Sequence, residues 1–394
     1  MNKRSASFCT LFPGYKDFHF YKDPGQIPYR LSLRGYDSRV VCFGKSADFP
    51  ITGKHLRIEP LHDGYLSRKF NAGLILYLLK NSGKIDILNL FHYTWSSLFS
   101  AFIYKIVNRR GFVYLKLDDC VFAREGINAE IRDIDLLSLN GSGMKARLKN
   151  HIAGRFFTTK VDLWSIEDER SREILEARYS FCRGKLITVY NGHTADMQGA
   201  PEYSDLSDKE NNIVTAGRLG SFQKAVEVLL EAYTAVAEDS DYNLHLAGPS
   251  TPQFRIDLEK YLNDNPMLIN RVFYHGALSR DDLYRLLNRS RIFCLPSRFE
   301  GLAIVYPEAM YYGNVVVTTN HVSLIPVIET YSTGVAVDRD DSSGLAQAIL
   351  KLISNPGQMD QMSEKAHKVS STIFNWENII NGLVDSIEQR NQNA

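Results

Sequence analysis

An α/β protein built from two doubly wound parallel sheets is what this sequence predicts, and three observations carry the prediction. Short apolar runs alternate with helix-length amphipathic segments from end to end. That rhythm breaks near the middle, at a polar acidic stretch without periodicity, and then resumes. The 394 residues exceed what one core usually organises and fit two to three domains of about 150 residues. Alternating strands and helices favour parallel sheets, because the crossover helices cover both faces.

In the first half the apolar runs 7–12, 39–43, 85–91, 112–117, 162–166 and 186–189 read as strands. The amphipathic segments 25–33, 67–81, 95–108 and 168–178 read as the helices between them. Tyr190-Asn191-Gly192-His193 is a turn signal, and 200–211 is polar and acidic, as a linker is. The second half predicts strands at 212–216, 243–247, 271–274, 292–295, 315–318 and 335–337. Its helices are expected at 225–238, 252–262, 280–288, 307–312, 343–354 and 358–371. A last amphipathic helix at 375–389 places Trp376, Ile379, Ile380, Leu383 and Ile387 on one face.

Composition narrows the class. Hydrophobic residues make up 44% and charged residues 23%, which excludes disorder, collagen-like repeats and small disulfide scaffolds. Five widely spaced cysteines (Cys9, Cys42, Cys120, Cys182 and Cys294) form no C-x-x-C pair, so a reduced cytosolic setting fits and a zinc ribbon does not. No leader-like segment opens the chain, and the longest apolar stretch, 98–107, is far short of the ~20 residues a spanning helix needs. The expected location is cytoplasmic, with membrane contact limited to the surface of the inner face. Net charge is +1, yet residues 1–200 hold 30 basic and 20 acidic side chains, against 16 and 25 in 201–394. Either the first half meets an anionic partner, or the two halves attract one another.

The segment richest in chemistry is Phe293-Cys294-Leu295-Pro296-Ser297-Arg298-Phe299-Glu300-Gly301-Leu302-Ala303-Ile304-Val305-Tyr306-Pro307-Glu308. A buried strand ends at Pro296-Ser297, a loop with Gly301 follows, and a helix is expected to open at Pro307. Glu300 and Glu308 flank the loop with seven residues between them, and two carboxylates suit a polyhydroxylated ligand. Taken singly, Glu308 reads as helix-dipole compensation and Glu300 as a solvated loop charge. Arg218 and Lys224 follow another buried strand. Paired cations at such a place can stabilise the charge that grows on a departing diphosphate. The plain alternative for each is a surface cation.

The segment resembles the E-x7-E signature of the retaining glycosyltransferases of family four. The resemblance extends to Val214-Thr215-Ala216-Gly217-Arg218-Leu219 with Lys224, to Leu246-Ala247-Gly248 and to Phe273-Tyr274-His275-Gly276. It continues through 313–319, Ser332-Thr333-Gly334 and Trp376, and Val189-Tyr190-Asn191-Gly192 resembles the turn that closes the first domain. The match covers 186–380; the first half agrees in rhythm more than in motif. The resemblance implies the GT-B fold: two Rossmann-like domains facing across a cleft, with the C-terminal helix returning to the N-terminal domain. It implies an acceptor domain at 1–195 plus 373–394, and a donor domain at 205–372. It further implies transfer of a hexose-type sugar from a nucleotide-diphosphate sugar, such as a UDP- or GDP-sugar, to a hydroxyl acceptor. No metal or other cofactor is expected. By the resemblance Glu308 would hold the donor ribose and Glu300 the sugar hydroxyls. Gly217, Gly301, Leu302, Ala303 and Ile304 would lie against the sugar and phosphate. A glycan or lipid-linked acceptor in cell-surface polysaccharide synthesis is the expected partner.

In the first domain Phe12-Pro13-Gly14-Tyr15 ends the first strand, where the family carries a glycine-rich loop near the diphosphate and acceptor; Gly14 is the glycine present here, and the resemblance makes it a donor-binding candidate. His92 follows a strand, and Asp118-Asp119 follow the next, where many members carry histidine. His92 and Asp118 are therefore catalytic candidates, although a histidine satisfied by backbone is an equal reading for His92. Asp338-Arg339-Asp340 has metal-motif spacing but reads as an acidic turn with a helix cap, and Gly141-Ser142-Gly143 reads as a turn. Cations and apolar residues mix over 144–157, and Lys105, Arg109, Arg110 and Phe112 add to them. That pattern fits an anionic lipid surface and a solvated basic face equally. Two rival readings are an epimerase of the same fold, which needs no acceptor, and a noncatalytic protein binding nucleic acid or an anionic surface. No basic-aromatic nucleic-acid motif is present, so no nucleic-acid partner is expected.

Overall fold

The structure is a computed structural model; it describes residues 5–62, 72–117, 148, 151–152, 156–197 and 199–392. Two compact units divide the chain. Among the described residues, one holds those up to Tyr190 together with those from Trp376 onward, and the other holds Asn191–Asn375.

The first unit is a seven-stranded, all-parallel sheet. Its strands are β1 (Ser7–Leu11), β2 (Asp37–Phe43), β3 (Arg57–Leu61), β4 (Ile87–Phe91), β5 (Phe112–Lys116), β6 (Leu163–Ile166) and β7 (Leu186–Thr188). The spatial order is β3-β2-β1-β4-β5-β6-β7, so the winding reverses between β1 and β4. The inner strands β1, β4 and β5 are buried at every position, as continuous apolar runs covered on both faces must be. β3 was not expected, because Arg57-Ile58-Glu59-Pro60-Leu61 lacks an apolar run and contains a proline. The sheet tolerates Pro60 because β3 is an edge strand paired only with β2.

Helices α1 (Asp23–Leu33), α2 (Thr52–His55), α3 (Ala72–Asn81), α4 (Trp95–Val107) and α5 (Glu169–Arg178) connect these strands. Two are capped as their sequences suggest: the Thr94 side chain accepts from Ser97 N, and that of Asp168 from Ser171 N. Of the five cysteines, Cys9, Cys42, Cys182 and Cys294 are free and buried, and Cys120 lies outside the described residues.

The second unit is a six-stranded parallel sheet in the order β10-β9-β8-β11-β12-β13. Its strands are β8 (Glu210–Ala216), β9 (Asn243–Ala247), β10 (Val272–Gly276), β11 (Ser290–Leu295), β12 (Val315–Thr319) and β13 (Gly334–Val337). Its helices are α6 (Val226–Asp239), α7 (Pro252–Asp264), α8 (Arg280–Asn288), α9 (Val305–Tyr311), α10 (Ile325–Tyr331), α11 (Ser342–Ile353) and α12 (Pro356–Ile373). Ile213, Leu244, Leu246, Ile292 and Val317 line one sheet face and bury against Leu229 and Tyr233 of α6 and Ile349 of α11. Here the order reverses between β8 and β11, which lie side by side with Ile213 opposite Ile292. In open α/β sheets such a reversal splays the loops at the strands' carboxyl ends and leaves a crevice.

The last helix, α13 (Trp376–Gln392), belongs to the first unit. The face anticipated from its spacing is the buried one: Trp376, Ile379, Ile380, Leu383 and Ile387 pack with Phe8, Ile27, Phe112 and Tyr114. Arg34 pairs with Glu377 at 2.5 Å, and Arg390 Nη2 donates to Gly184 O at 2.6 Å. Because Trp376 is fully buried, Trp376→Ala should cost the first unit about 3–5 kcal/mol. Denaturant unfolding monitored by circular dichroism checks this; a loss below 1 kcal/mol would mean the helix is not docked as described.

Candidate functional site

The loops after β8 and β11 emerge on either side of the second unit's switch point, and they carry the cations and the carboxylate singled out from sequence. After β8 the chain makes a tight approach to β9. Gly217 N donates to Ala247 O at 3.0 Å. A Cβ on Gly248, whose φ is +128°, would come within 1.9 Å of Gly217 O. A Cβ on Gly217 itself would lie 3.3 Å from Cε of Lys224, so the lysine stem runs across a surface kept bare by glycine. The loop then closes through Ser221 N to Arg218 O (3.2 Å) and Lys224 N to Ser221 O (3.0 Å). It enters α6 through Ala225 in the left-handed region at φ 49°.

Lys224 Nζ forms an ion pair with Glu300 Oε2, and both side chains are about nine-tenths buried. Glu300 is therefore not a solvated loop charge. Its backbone is pinned on both sides: Glu300 N donates to His321 O at 3.2 Å, and Ser323 N donates to Glu300 O at 3.1 Å. Gln223 completes the arrangement. Its Nε2 donates to Glu300 Oε1 at 3.2 Å, while its Oε1 accepts from Arg218 Nη2 at 2.8 Å. The amide thus links an exposed guanidinium to a buried carboxylate. Gln223 is uncharged, so its residue type does not mark this role; its position directly before Lys224 is the available signal.

Beyond Gly301, Leu302 is buried and its carbonyl accepts from Asn191 Nδ2 at 3.2 Å. Ala303 N turns back to Gly301 O at 3.0 Å. The helix opens at Val305 rather than Pro307, so the proline sits inside the first turn, where a missing N–H is still cheap. Glu308 Oε1 accepts from Arg280 Nη1 at 3.0 Å and from the Tyr284 hydroxyl at 2.9 Å. Arg280 also donates to Tyr284 OH and to Thr194 Oγ1. These α8 partners were invisible in the sequence pattern. Burial raises the Glu308 carboxyl above the usual glutamate range, and Arg280 only partly opposes it.

The Asp338-Arg339-Asp340 stretch is accounted for by local contacts. Asp338 Oδ1 accepts from Asn320 at 2.9 Å, and Asp340 Oδ1 from Arg298 Nε at 2.7 Å. The adjacent Asp341 caps α11 through Gly344 N at 2.8 Å. Among the described residues no group of three or more His, Cys, Asp or Glu is placed to hold a metal ion.

Two of the first unit's candidates, Gly14 and His92, also stand at strand carboxyl ends. Gly14 is exposed in the turn after β1, with nothing within 4 Å of where a Cβ would sit. His92 follows β4 in the left-handed region at φ 61°, its N–H donating to Lys116 O at 2.9 Å. Its ring is 5.8 Å from that of Phe12. Asp118, Asp119 and the 141–147 segment lie outside the described residues.

Two parallel-sheet, Rossmann-like domains of seven and six strands, with a final helix on the first, define the GT-B fold. HepE of Anabaena, solved in complex with UDP and glucose, shares it with a TM-score of 0.70 at 17% identity, over 98% of this chain and 100% of that one. Residues 200–369 match the family model described as glycosyl transferases group 1, which supports a glycosyltransferase of that family. Two uncharacterised glycosyltransferases of Methanocaldococcus jannaschii are similar. One is 26% identical over 183 residues, 46% of this chain and 45% of that protein. The other is 24% identical over 254 residues, 63% and 66% respectively. The chain thus spans from under half to about two thirds of the length of these relatives.

The two glycines make opposite predictions. Gly248→Ala forces a Cβ into the Gly217 carbonyl at a backbone angle that side chains avoid, and should cost at least about 1–3 kcal/mol. Gly14→Ala meets nothing and should stay within about 0.5 kcal/mol of the parent. Equal denaturation midpoints for Gly248→Ala and the parent would contradict the close approach.

Proposed function

We propose that this protein is a retaining, metal-independent glycosyltransferase that moves a hexose-type sugar from a nucleotide-diphosphate sugar to a hydroxyl acceptor. The observation that carries the reading is the convergence of Arg218, Gln223, Lys224 and Glu300 at the switch point of the second sheet. Cleaving the bond between a sugar and a diphosphate leaves negative charge on the departing phosphate, and preorganised cations lower that barrier. Arg218 offers an exposed fork for phosphate oxygens, and Lys224 supplies a point charge on leaving its pair with Glu300. Glu300, released in the same exchange, accepts hydrogen bonds from the sugar hydroxyls.

Glu308 divides its labour between its two oxygens. Oε1 holds Arg280 and Tyr284, and among the described residues no hydrogen bond or ion pair goes to Oε2. Oε2 is the atom we assign to a ribose hydroxyl. The backbone of Gly301 to Ile304 lies against the sugar and phosphate. The acceptor oxygen bonds to the anomeric carbon on the face the leaving group vacates as the sugar–phosphate bond breaks, and its proton passes to the departing phosphate oxygen. In this reading Gly14 lies against the donor's diphosphate, and His92 and Asp118 take part in the reaction from the first domain. HepE's complex with UDP and glucose supports a UDP-sugar as the first donor to try.

A glycan or lipid-linked acceptor, and a role in surface polysaccharide assembly, follow from the family resemblance. Peripheral membrane contact is supported by Leu76 and Leu79 of α3 and Ile106 and Val107 of α4, which are exposed beside Lys80, Arg109 and Arg110. No described helix is long and apolar enough to cross a membrane.

The test is a thermal-stabilisation screen of UDP- and GDP-sugars, followed by transfer to model glycosides in the presence of a chelator. Proton NMR of the product reads the anomeric configuration. Stabilisation by one nucleotide sugar and chelator-resistant transfer with retained configuration are expected. Inversion, loss of activity with chelator, or no donor binding would overturn the reading. Alteration of the nucleotide sugar without acceptor would point to an epimerase instead.

The pH dependence is also fixed in sign. A raised carboxyl pKa means Glu308 protonates, and weakens as an acceptor, at a higher pH than an ordinary glutamate. Donor affinity should fall as pH is lowered, starting above the usual glutamate range, and Glu308→Gln should flatten that limb. A limb unchanged in Glu308→Gln contradicts the assignment.

A further inference from the structure

Next to this site an aromatic ring stands in solvent, and the protein invests much in keeping it there. Phe222 lies in the loop after β8, directly before Gln223 and Lys224, and is 68% exposed. Exposed loop phenylalanines are ordinarily free to move, because little packing restrains them. This one is clamped by Arg298. The guanidinium carbon sits 4.3 Å from the ring centroid. Arg298 Nη1 donates to Phe222 O at 2.8 Å, Nε to Asp340 Oδ1 at 2.7 Å, and Nη2 pairs with Glu227 Oε1 at 2.7 Å. Its backbone N–H donates to Gln223 O at 2.8 Å. Every nitrogen of the fork is engaged, so the guanidinium plane is fixed and holds one face of the ring. Most of the residue's surface is left to solvent.

Resting on the glycosyltransferase reading, we infer that Phe222 is a binding platform for the apolar face of a pyranose, positioned by Arg298 beside the hydroxyl-binding carboxylate Glu300. The chemistry of the two groups is complementary. A pyranose carries hydroxyls around its edge and a patch of C–H groups on its face. C–H groups are weakly positive and pack on the negative face of an aromatic ring, while hydroxyls donate to a carboxylate. The side chain of Gln223, the next residue, donates to Glu300 Oε1 at 3.2 Å, so the ring and a group that holds the carboxylate come from adjacent residues. The ligand class is a sugar ring whose C–H groups form a continuous patch on one face. The ring is either the transferred sugar or the acceptor sugar.

The experiment uses the full chain with Phe222→Ala and Phe222→Trp. Three quantities are read: the Kd for UDP alone, the KM for slow hydrolysis of the accepted nucleotide sugar without acceptor, and the KM for a glycoside acceptor in transfer. UDP affinity and the unfolding midpoint should be unchanged in both variants. In Phe222→Ala one KM should rise about fivefold to tenfold, and Phe222→Trp should hold it within about twofold. A rise in the hydrolysis KM assigns the platform to the donor sugar, and a rise in the acceptor KM alone assigns it to the acceptor. Unchanged KM values in Phe222→Ala, or a joint loss of UDP affinity and stability, would overturn the proposal while leaving the parent's donor turnover, and so the wider reading, intact. A parent that binds no nucleotide sugar would overturn both.

Discussion

A lysine and a glutamate 76 residues apart meet with both side chains about nine-tenths buried, and the rest of the site is arranged around that contact. Removing two charges from water is costly, and the pair persists because each partner offsets the other's burial. Their meeting depends on the sheet order. β8 and β11 are neighbours although two other strands intervene in sequence, so the loops that follow them open onto one crevice. The glycines at 217 and 248 make the approach close enough, and Ala225 turns the chain so that the lysine points back across it.

In the proposed reading, an ion pair at this position is a poised state. Each charge satisfies the other in the free protein, and a ligand that carries both phosphate and hydroxyls offers each a better partner at once. In such an exchange the lysine would trade one anion for another and the carboxylate would trade its cation for hydroxyl donors, so neither group would be left without a partner. Glu308 follows the same logic at a second point. Arg280 and Tyr284 hold one oxygen, which fixes the carboxylate's orientation and leaves the other available. Arg298 plays the corresponding part for the neighbouring loop, tying Glu227, Asp340 and the Phe222 backbone together.

Much of this was legible from residues alone. Buried parallel strands announce themselves as apolar runs, and twelve of the thirteen described strands were anticipated within a few residues. The exception, β3, is an edge strand with Pro60 and two charges, so neither burial nor pairing forces it to be apolar. The α10 helix was missed because it is a short segment, seven residues long, that follows a turn. The site was legible as charged residue types after buried strands, which pointed to Arg218, Lys224, Glu300 and Glu308. The neutral relay Gln223 and the supporting Arg280, Tyr284 and Arg298 were not legible. Their roles arise from packing between elements distant in the chain, and no local period encodes that. In the first half His92 was legible only as a position; its left-handed backbone came from the structure.

The most direct measurement is calorimetric titration of UDP into the parent, Lys224→Met and Glu300→Gln. If Lys224 exchanges Glu300 for phosphate, Lys224→Met should weaken UDP binding at least about tenfold, or 1.4 kcal/mol. Glu300→Gln, which frees the lysine from its competitor, should match or exceed the parent's affinity. Equal UDP affinity in Lys224→Met and the parent, with both folded, would contradict the account.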